Sequence, residues 1–140
     1  MAEQTFRLEI IAPDRIFYSN DVQMVEYNTA AGQVGVYAGH IPMTQILAPG
    51  ILTITEVNGE KMAALHTGFV EILPDRVTIL AEAVEWPGDI DTERAARARS
   101  AAERMIASGV EGRELRRAEL SLLRALVRLE TAEYHSSQRC

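Results

Sequence analysis

Trp86-Pro87-Gly88-Asp89-Ile90-Asp91-Thr92-Glu93-Arg94-Ala95 is where the pattern of this 140-residue chain changes. Proline and glycine interrupt what precedes them. Asp89 and Asp91 offer acceptors for a helix N terminus. From Thr92 onward the chain is rich in alanine, glutamate and arginine, all good helix formers. Before the break apolar residues recur at period two; after it they recur at three and four. The sequence thus predicts a β domain over 1–86, a hinge over 87–90, an α-helical hairpin over 91–134 and a disordered tail over 135–140.

Upstream, the period of two marks short strands. Thr5-Phe6-Arg7-Leu8-Glu9-Ile10-Ile11 alternates as a half-buried strand should. Further runs are Val22–Tyr27, Gly32–Tyr37, Ile51–Val57, Lys61–His66, Phe69–Leu73 and Arg76–Leu80. Asn58-Gly59 joins two of them with the dipeptide that suits a tight hairpin turn. Pro74-Asp75 joins two others. Seven or more short strands at this spacing predict an antiparallel β-sandwich or flattened barrel.

Downstream, Ala95, Ala98, Ala102 and Met105 make a narrow stripe of mostly small residues on a first helix. Ser108-Gly109 breaks it. A second helix is expected from Glu111 to about Tyr134, with Leu115, Ala118, Leu122, Leu126 and Leu129 as its apolar stripe. Two helices joined by a short glycine-containing turn form an antiparallel hairpin. Alanine contacts remove little surface from water, at about 25 cal/mol per Å². Such a hairpin needs a neighbour, which suits a moving part.

Charge divides at the same place. Residues 1–90 carry twelve acids against four bases, and residues 91–140 carry eight acids against ten arginines, so a local −8 and +2 make up the net −6. Two modules with different partners are implied. No apolar run reaches the roughly 18 residues of a membrane span. The start Met1-Ala2-Glu3-Gln4 has neither the basic nor the apolar region of a signal peptide, which points to a cytoplasmic protein. The single cysteine is Cys140, so no internal disulfide forms.

No catalytic signature is present. The chain has no phosphate loop, no His-Glu-x-x-His and no nucleophile elbow. His40, His66 and His135 lack metal-ligand spacing. Gly32, Gly35 and Gly39 lie among strands with no helix following, so they read as turns and close approaches rather than a dinucleotide fingerprint. The arginines are more informative. Arg113, Arg117, Arg124 and Arg128 lie along one face of the second helix, and Arg94, Arg97 and Arg104 do likewise on the first. Spacing alone suits a solvated surface laced by nearby glutamates, but on the second helix few glutamates stand four residues ahead of a basic residue. Arginine's planar fork binds carboxylates and phosphates bidentately, so an acidic protein surface and a nucleotide phosphate are both candidate partners. An acidic chain with few aromatics argues against nucleic acid.

Several stretches together resemble one family. Gly32-Gln33-Val34-Gly35-Val36-Tyr37-Ala38-Gly39-His40-Ile41-Pro42-Met43 is similar to the Gly-x-x-Gly-x-x-x-Gly-His-x-Pro segment of the epsilon subunits of F-type ATP synthases. Gly68–Ile72 and Val77–Glu82 resemble the hairpin that follows it. Asp89–Ala95 resembles the start of the first helix, and Arg117-Ala118-Glu119-Leu120 with Arg124-Ala125 resembles the second. The resemblance runs over about residues 4–134.

The resemblance implies a ten-stranded sandwich plus two helices, on the central rotor of the synthase. It implies a non-catalytic subunit, peripheral on the cytoplasmic face of a bacterial membrane and touching that membrane only through partners. Those partners would be gamma and the c-ring, with Gln33, Gly39, His40 and Pro42 at the contact, and alpha and beta once the hairpin extends. The subunit would help couple proton flow to ATP synthesis. Its hairpin would inhibit ATP hydrolysis, with Arg113, Arg117, Arg124 and Arg128 against beta. No cofactor or metal is required.

The family's nucleotide motif falls on Ile90-Asp91-Thr92-Glu93-Arg94-Ala95. The implied ATP site comprises Glu85, Ile90, Asp91, Arg94, Ala95, Arg124 and Arg128. Ala101 stands where a well-studied version of that site has a further arginine, so the ATP binding implied is weak. Gln33 stands where an acid is common, which weakens any charge contact with basic c-ring loops. Asp91 also reads as an ordinary N-cap, a role compatible with binding.

Overall fold

A computed structural model describes residues 4–138, with side chains through residue 134. The chain divides into two compact units between Glu85 and Trp86. Trp86 and the expected hinge residues 87–90 therefore lie in the second unit.

The first unit holds ten strands: β1 Phe6–Ala12, β2 Arg15–Val22, β3 Met24–Thr29, β4 Gly32–Tyr37, β5 Met43–Leu47, β6 Gly50–Glu56, β7 Gly59–Leu65, β8 Gly68–Leu73, β9 Arg76–Ala81 and β10 Val84–Glu85. They pair in the order β10-β7-β6-β3-β5-β8-β9-β1-β2, with β4 on β3. All pairs are antiparallel except β1 with β9, which is parallel. A parallel pair is possible there because β1 and β9 are far apart in sequence, so no tight turn fixes their direction.

Alternation fills the core. Leu8 and Ile10, Leu52 and Ile54, Val70 and Ile72, and Val77 and Ile79 point inward and are buried. A bulge between Ile10 and Ile11 leaves Phe17 as the extra residue on β2. It lets both Phe17 and Tyr18 be buried while Ile16 turns outward. The Tyr18 hydroxyl donates to Glu56 Oε2 at 2.6 Å, and the Gln23 N–H donates to the Thr55 carbonyl at 2.8 Å. These bonds draw β2, at the end of the strand path, toward β6. Burial, and then the Glu56 carboxylate, pushes the Tyr18 hydroxyl pKa well up, and burial pushes that of Tyr27 up to about 12.

Three strands escaped the sequence reading. β2 holds polar Ser19-Asn20-Asp21, β5 follows directly on a Gly-His-x-Pro loop, and β10 has two residues. None offers a long enough alternating run.

In the second unit, Pro87–Asp89 forms a 3-10 turn, α1 spans Thr92–Ala107 and α2 spans Gly112–Gln138. Proline enters the turn at its start, where its missing N–H costs nothing. Asp91 caps α1 by accepting from the Arg94 N–H at 3.0 Å. α1 ends at Ser108, and Gly109 follows at φ 86°. α2 continues past Tyr134, so the expected tail is helical through Gln138, while residues 139 and 140 lie outside the described residues. Glu130, Thr131, Ala132 and Glu133 continue the helix without a breaker.

The helix–helix contact differs from the expected stripes. Ala95 and Ala102 of α1 are buried, as are Ala118, Ala125 and Ala132 of α2. Each set repeats every seven residues, two helical turns, so each makes a straight seam of methyl groups. Ala98 is exposed, Met105 is 48% exposed and Leu126 is 37% exposed. Helices approach most closely on their smallest side chains, which turns the longer leucines aside. Val127 and Thr131 are also buried, and the Thr131 hydroxyl is satisfied by the Val127 carbonyl at 2.7 Å.

Gly68 gives the fold a direct test. Its φ is 153°, and a Cβ there would lie 2.1 Å from the Leu80 carbonyl oxygen. Gly59 has φ 154° with open space around it. Gly68→Ala should therefore cost at least about 2 kcal/mol in urea unfolding and Gly59→Ala about 1 kcal/mol. Equal losses would show that φ, and not the contact with β9, constrains Gly68.

Candidate functional site

Three groups of residues carry the functional expectations, and the fold treats each differently.

The first lies on the sandwich. Gln33 is exposed on β4 opposite Asn28, next to the β3–β4 turn. Gly39, His40 and Pro42 follow the other end of the same strand. Four residue steps of extended chain, about 13 Å, separate Gln33 from Tyr37. The structure thus does not bring Gln33 together with the other three. Gly39 takes φ 81° and donates its N–H to the Pro74 carbonyl at 2.9 Å. The β8–β9 turn is in turn held by the Arg7 N–H on the Asp75 carbonyl at 3.0 Å. His40 Nδ1 lies 3.0 Å from the Ile41 carbonyl oxygen. This fixed loop presents Ile41, 75% exposed, beside Tyr37 and Met43, also exposed.

Strand register reveals a feature the sequence reading missed. Ile46 pairs with Phe69, Phe69 with Leu80, Leu80 with Ile11 and Ile11 with Ile16. These five residues form one row across β5-β8-β9-β1-β2 on the outer face, about 20 Å long at the usual strand spacing. Ile46 and Ile16 are strongly exposed, and Phe69 and Leu80 are exposed as well. The next row is polar: Thr44, Glu71, Thr78, Glu9 and Ser19. The row after it holds Arg76, Arg7 and Asp21, with Arg7 Nη1 3.5 Å from Asp21 Oδ1. An apolar band on a charged face marks an interaction surface. No sequence window could reveal it, because its members come from five strands, two of which were not read as such.

The second group is the nucleotide motif. Ile90 is buried, Asp91 is the exposed N-cap, the Arg94 side chain is exposed and Ala95 lies in the helix–helix seam. Ala102 and Ala118 stand equally far along the chain from Val110 in the turn, as do Ala95 and Ala125. In an antiparallel hairpin such pairs lie abreast. Arg124 and Arg128, both half-buried, therefore occupy the turns of α2 abreast of the α1 N terminus. The 3-10 turn packs against α2. Glu85 belongs to the first unit, where its Oε1 lies 3.6 Å from Nε2 of buried His66. Ala101 lines an open groove with Ala98 and Met105 of α1 and Glu114, Arg117 and Ser121 of α2.

The third group is the arginine face of α2. Arg113 and Arg117 are exposed near its start, whereas Arg124 and Arg128 are half-buried. Arg116 is exposed between the first two and was missed because it falls off the four-and-seven spacing. Another groove, lined by Ile106, Leu115, Leu122, Leu123 and Leu126 with Glu119, runs along the hairpin. Among the described residues no cluster of three or more His, Cys, Asp or Glu could hold a metal, and no helix is long and apolar enough to cross a membrane.

Known proteins share this organisation. Residues 5–87 match the family described as ATP synthase, Delta/Epsilon chain, beta-sandwich domain, and residues 89–133 match ATP synthase, Delta/Epsilon chain, long alpha-helix domain. A Shouchella clausii protein named ATP synthase epsilon chain is 41% identical over 130 residues, 93% of this chain and 96% of that one. A Chloroflexus aggregans protein of the same name is 41% identical over 133 residues, 94% of this chain and 95% of its own length. A chain from the cryo-EM structure of the Euglena gracilis mitochondrial ATP synthase (OSCP/F1/c-ring) has a TM-score of 0.79 at 27% identity, covering 91% of this chain and 81% of that one. Both units match in order and over nearly the whole length: the chain belongs to the ATP synthase delta/epsilon family.

Proposed function

We propose that this protein is the epsilon subunit of a bacterial F-type ATP synthase, a non-catalytic part of the central stalk. It helps couple proton flow through the c-ring to ATP synthesis on other subunits. The single observation that carries this reading is the apolar row Ile46–Phe69–Leu80–Ile11–Ile16 on a family sandwich. Such a row suits a lasting partner, because an exposed band of this length is a liability in a free protein. Gamma is that partner, with Gly39, His40 and Pro42 extending the contact. Gln33, at the opposite end of β4, faces the c-ring, and being uncharged it contributes no ion pair there. The subunit is peripheral on the cytoplasmic face and reaches the membrane only through these partners. Phe69→Glu should weaken capture of purified gamma at least tenfold while the isolated chain stays folded by circular dichroism. Undiminished capture would remove the row from the interface.

The hairpin regulates. Its seam is narrow and its leucines are partly open, so it can exchange one neighbour for another. Extended toward the catalytic head, it sets Arg113, Arg117, Arg124 and Arg128 against acidic segments of beta, with alpha alongside, and inhibits ATP hydrolysis. Reversing charge at Arg117, Arg124 and Arg128 should raise hydrolysis by the reconstituted complex several-fold. Unchanged hydrolysis would refute the arginine mechanism.

A second reading has one observation in its favour: Arg124 and Arg128 stand abreast of the motif Ile90–Ala95. In this reading ATP binds Ile90, Asp91, Arg94, Ala95, Arg124 and Arg128 and holds the hairpin folded. A ligand does so only by binding the folded form better than the extended one. Ala101 supplies no cation, so a dissociation constant near about 1 mM is expected. Calorimetry with ATP should show heat that disappears in Arg94→Ala; silence at millimolar ATP would exclude the sensor.

A further inference from the structure

The sandwich ends on a very short hold. β10 is two residues long and pairs with β7 through Val84 opposite Leu65 and Glu85 opposite Ala64. The next residue, Trp86, begins the second unit. Whatever force the hairpin exerts on the sandwich through the backbone reaches it at this strand.

His66 stands at the same place. Its side chain is 1% exposed, and Nε2 lies 3.6 Å from Glu85 Oε1, whose side chain is 29% exposed. Its backbone N–H donates to the Ala83 carbonyl at 3.0 Å, so the residue brackets β10 from both sides. The other acid at this end is Glu82. Its carboxylate accepts from the Thr67 hydroxyl, and its N–H donates to the Thr67 carbonyl at 2.8 Å. β6 brings Gly50 to the level of Leu65, and β8 begins at Gly68, so neither places a charged side chain at these positions.

We propose that His66 and Glu85 form a pH-dependent clamp on β10, at the point where the chain leaves the sandwich. Nothing in the stalk role uses a buried histidine at this position. A buried charge is tolerated when a counter-charge faces it. Glu85 is that counter-charge, and its partial exposure keeps its carboxylate solvated. The pair is a charged one while the imidazole is protonated, which an ordinary histidine is below about pH 6.5. There the attraction holds Glu85 against β7. As pH rises beyond that range the imidazole becomes neutral, the attraction is lost, and β10 is held less tightly. The regulatory meaning of the clamp, a freer hairpin at alkaline pH, rests on the mobile-hairpin reading above.

The test is amide hydrogen exchange in the full-length chain at pH 6 and pH 8, each corrected for the intrinsic chemical rate. The wild type should protect the Val84 and Glu85 amides at least about threefold more at pH 6, in step with the His66 ring titration followed by NMR. His66→Gln should abolish the difference. Glu85→Gln should do the same at a partly exposed site where the fold is secure, which keeps the test available if the His66 variant does not fold. Equal protection at the two pH values, or a pH response that survives in Glu85→Gln, would overturn the clamp. These readouts come from the isolated chain. An arginine variant that fails to relieve inhibition would therefore count against the regulatory reading and leave the clamp standing.

Discussion

The seam of alanines at 95, 102, 118, 125 and 132 sets the character of the second unit. Each buried methyl contributes about 0.8 kcal/mol, against about 1.5–3 kcal/mol for a buried leucine. The four methyls abreast along the two helices, at 95, 102, 118 and 125, therefore supply about 3 kcal/mol. The geometry is well specified, because only alanines at seven-residue spacing allow so close an approach along a straight line. The stability is modest. By occupying the contact, the alanines leave Leu122, Leu123 and Leu126 along a groove and leave most of the arginines outside.

α2, at 27 residues, is about 40 Å long, and α1, at 16 residues, about 24 Å. The longer helix outruns its partner, and the 3-10 turn Pro87–Asp89 packs against it. The connecting segment thus has structure of its own within the hairpin unit. Asp91 caps α1, so one carboxylate fixes the helix start.

The sandwich is built the other way. Its interior is filled by alternating large residues from most of its strands, and the Tyr18–Glu56 bond links β2 to β6. Its outer face is banded, one apolar row beside one polar and one charged row. A rigid sheet holds such bands in register, whereas a loop would not. A firm core and a patterned face thus distinguish the first unit from the lightly packed hairpin of the second.

Much of this was legible in the chain itself. The Trp86-Pro87-Gly88 break, the Asn58-Gly59 hairpin, the Asp91 cap and the family resemblance depend on residues adjacent in sequence, where local conformational preference is decisive. Seven strands could be read because their alternation persists for five or more residues. The parallel pairing of β1 with β9 and the apolar row through Ile46 and Phe69 could not be read, because pairing between distant segments is set by the whole sheet. The choice of alanine over leucine at the helix contact was equally hidden. Both stripes have helical periodicity, and only the distance between the packed helices decides which one is buried. The clamp between His66 and Glu85 belongs with these, since the two residues are distant in sequence and the pairing of β10 with β7 brings their side chains to 3.6 Å. The sequence by itself determined what each segment is and which family it serves; the tertiary structure decided which surfaces meet and which remain available, because that depends on packing across segments.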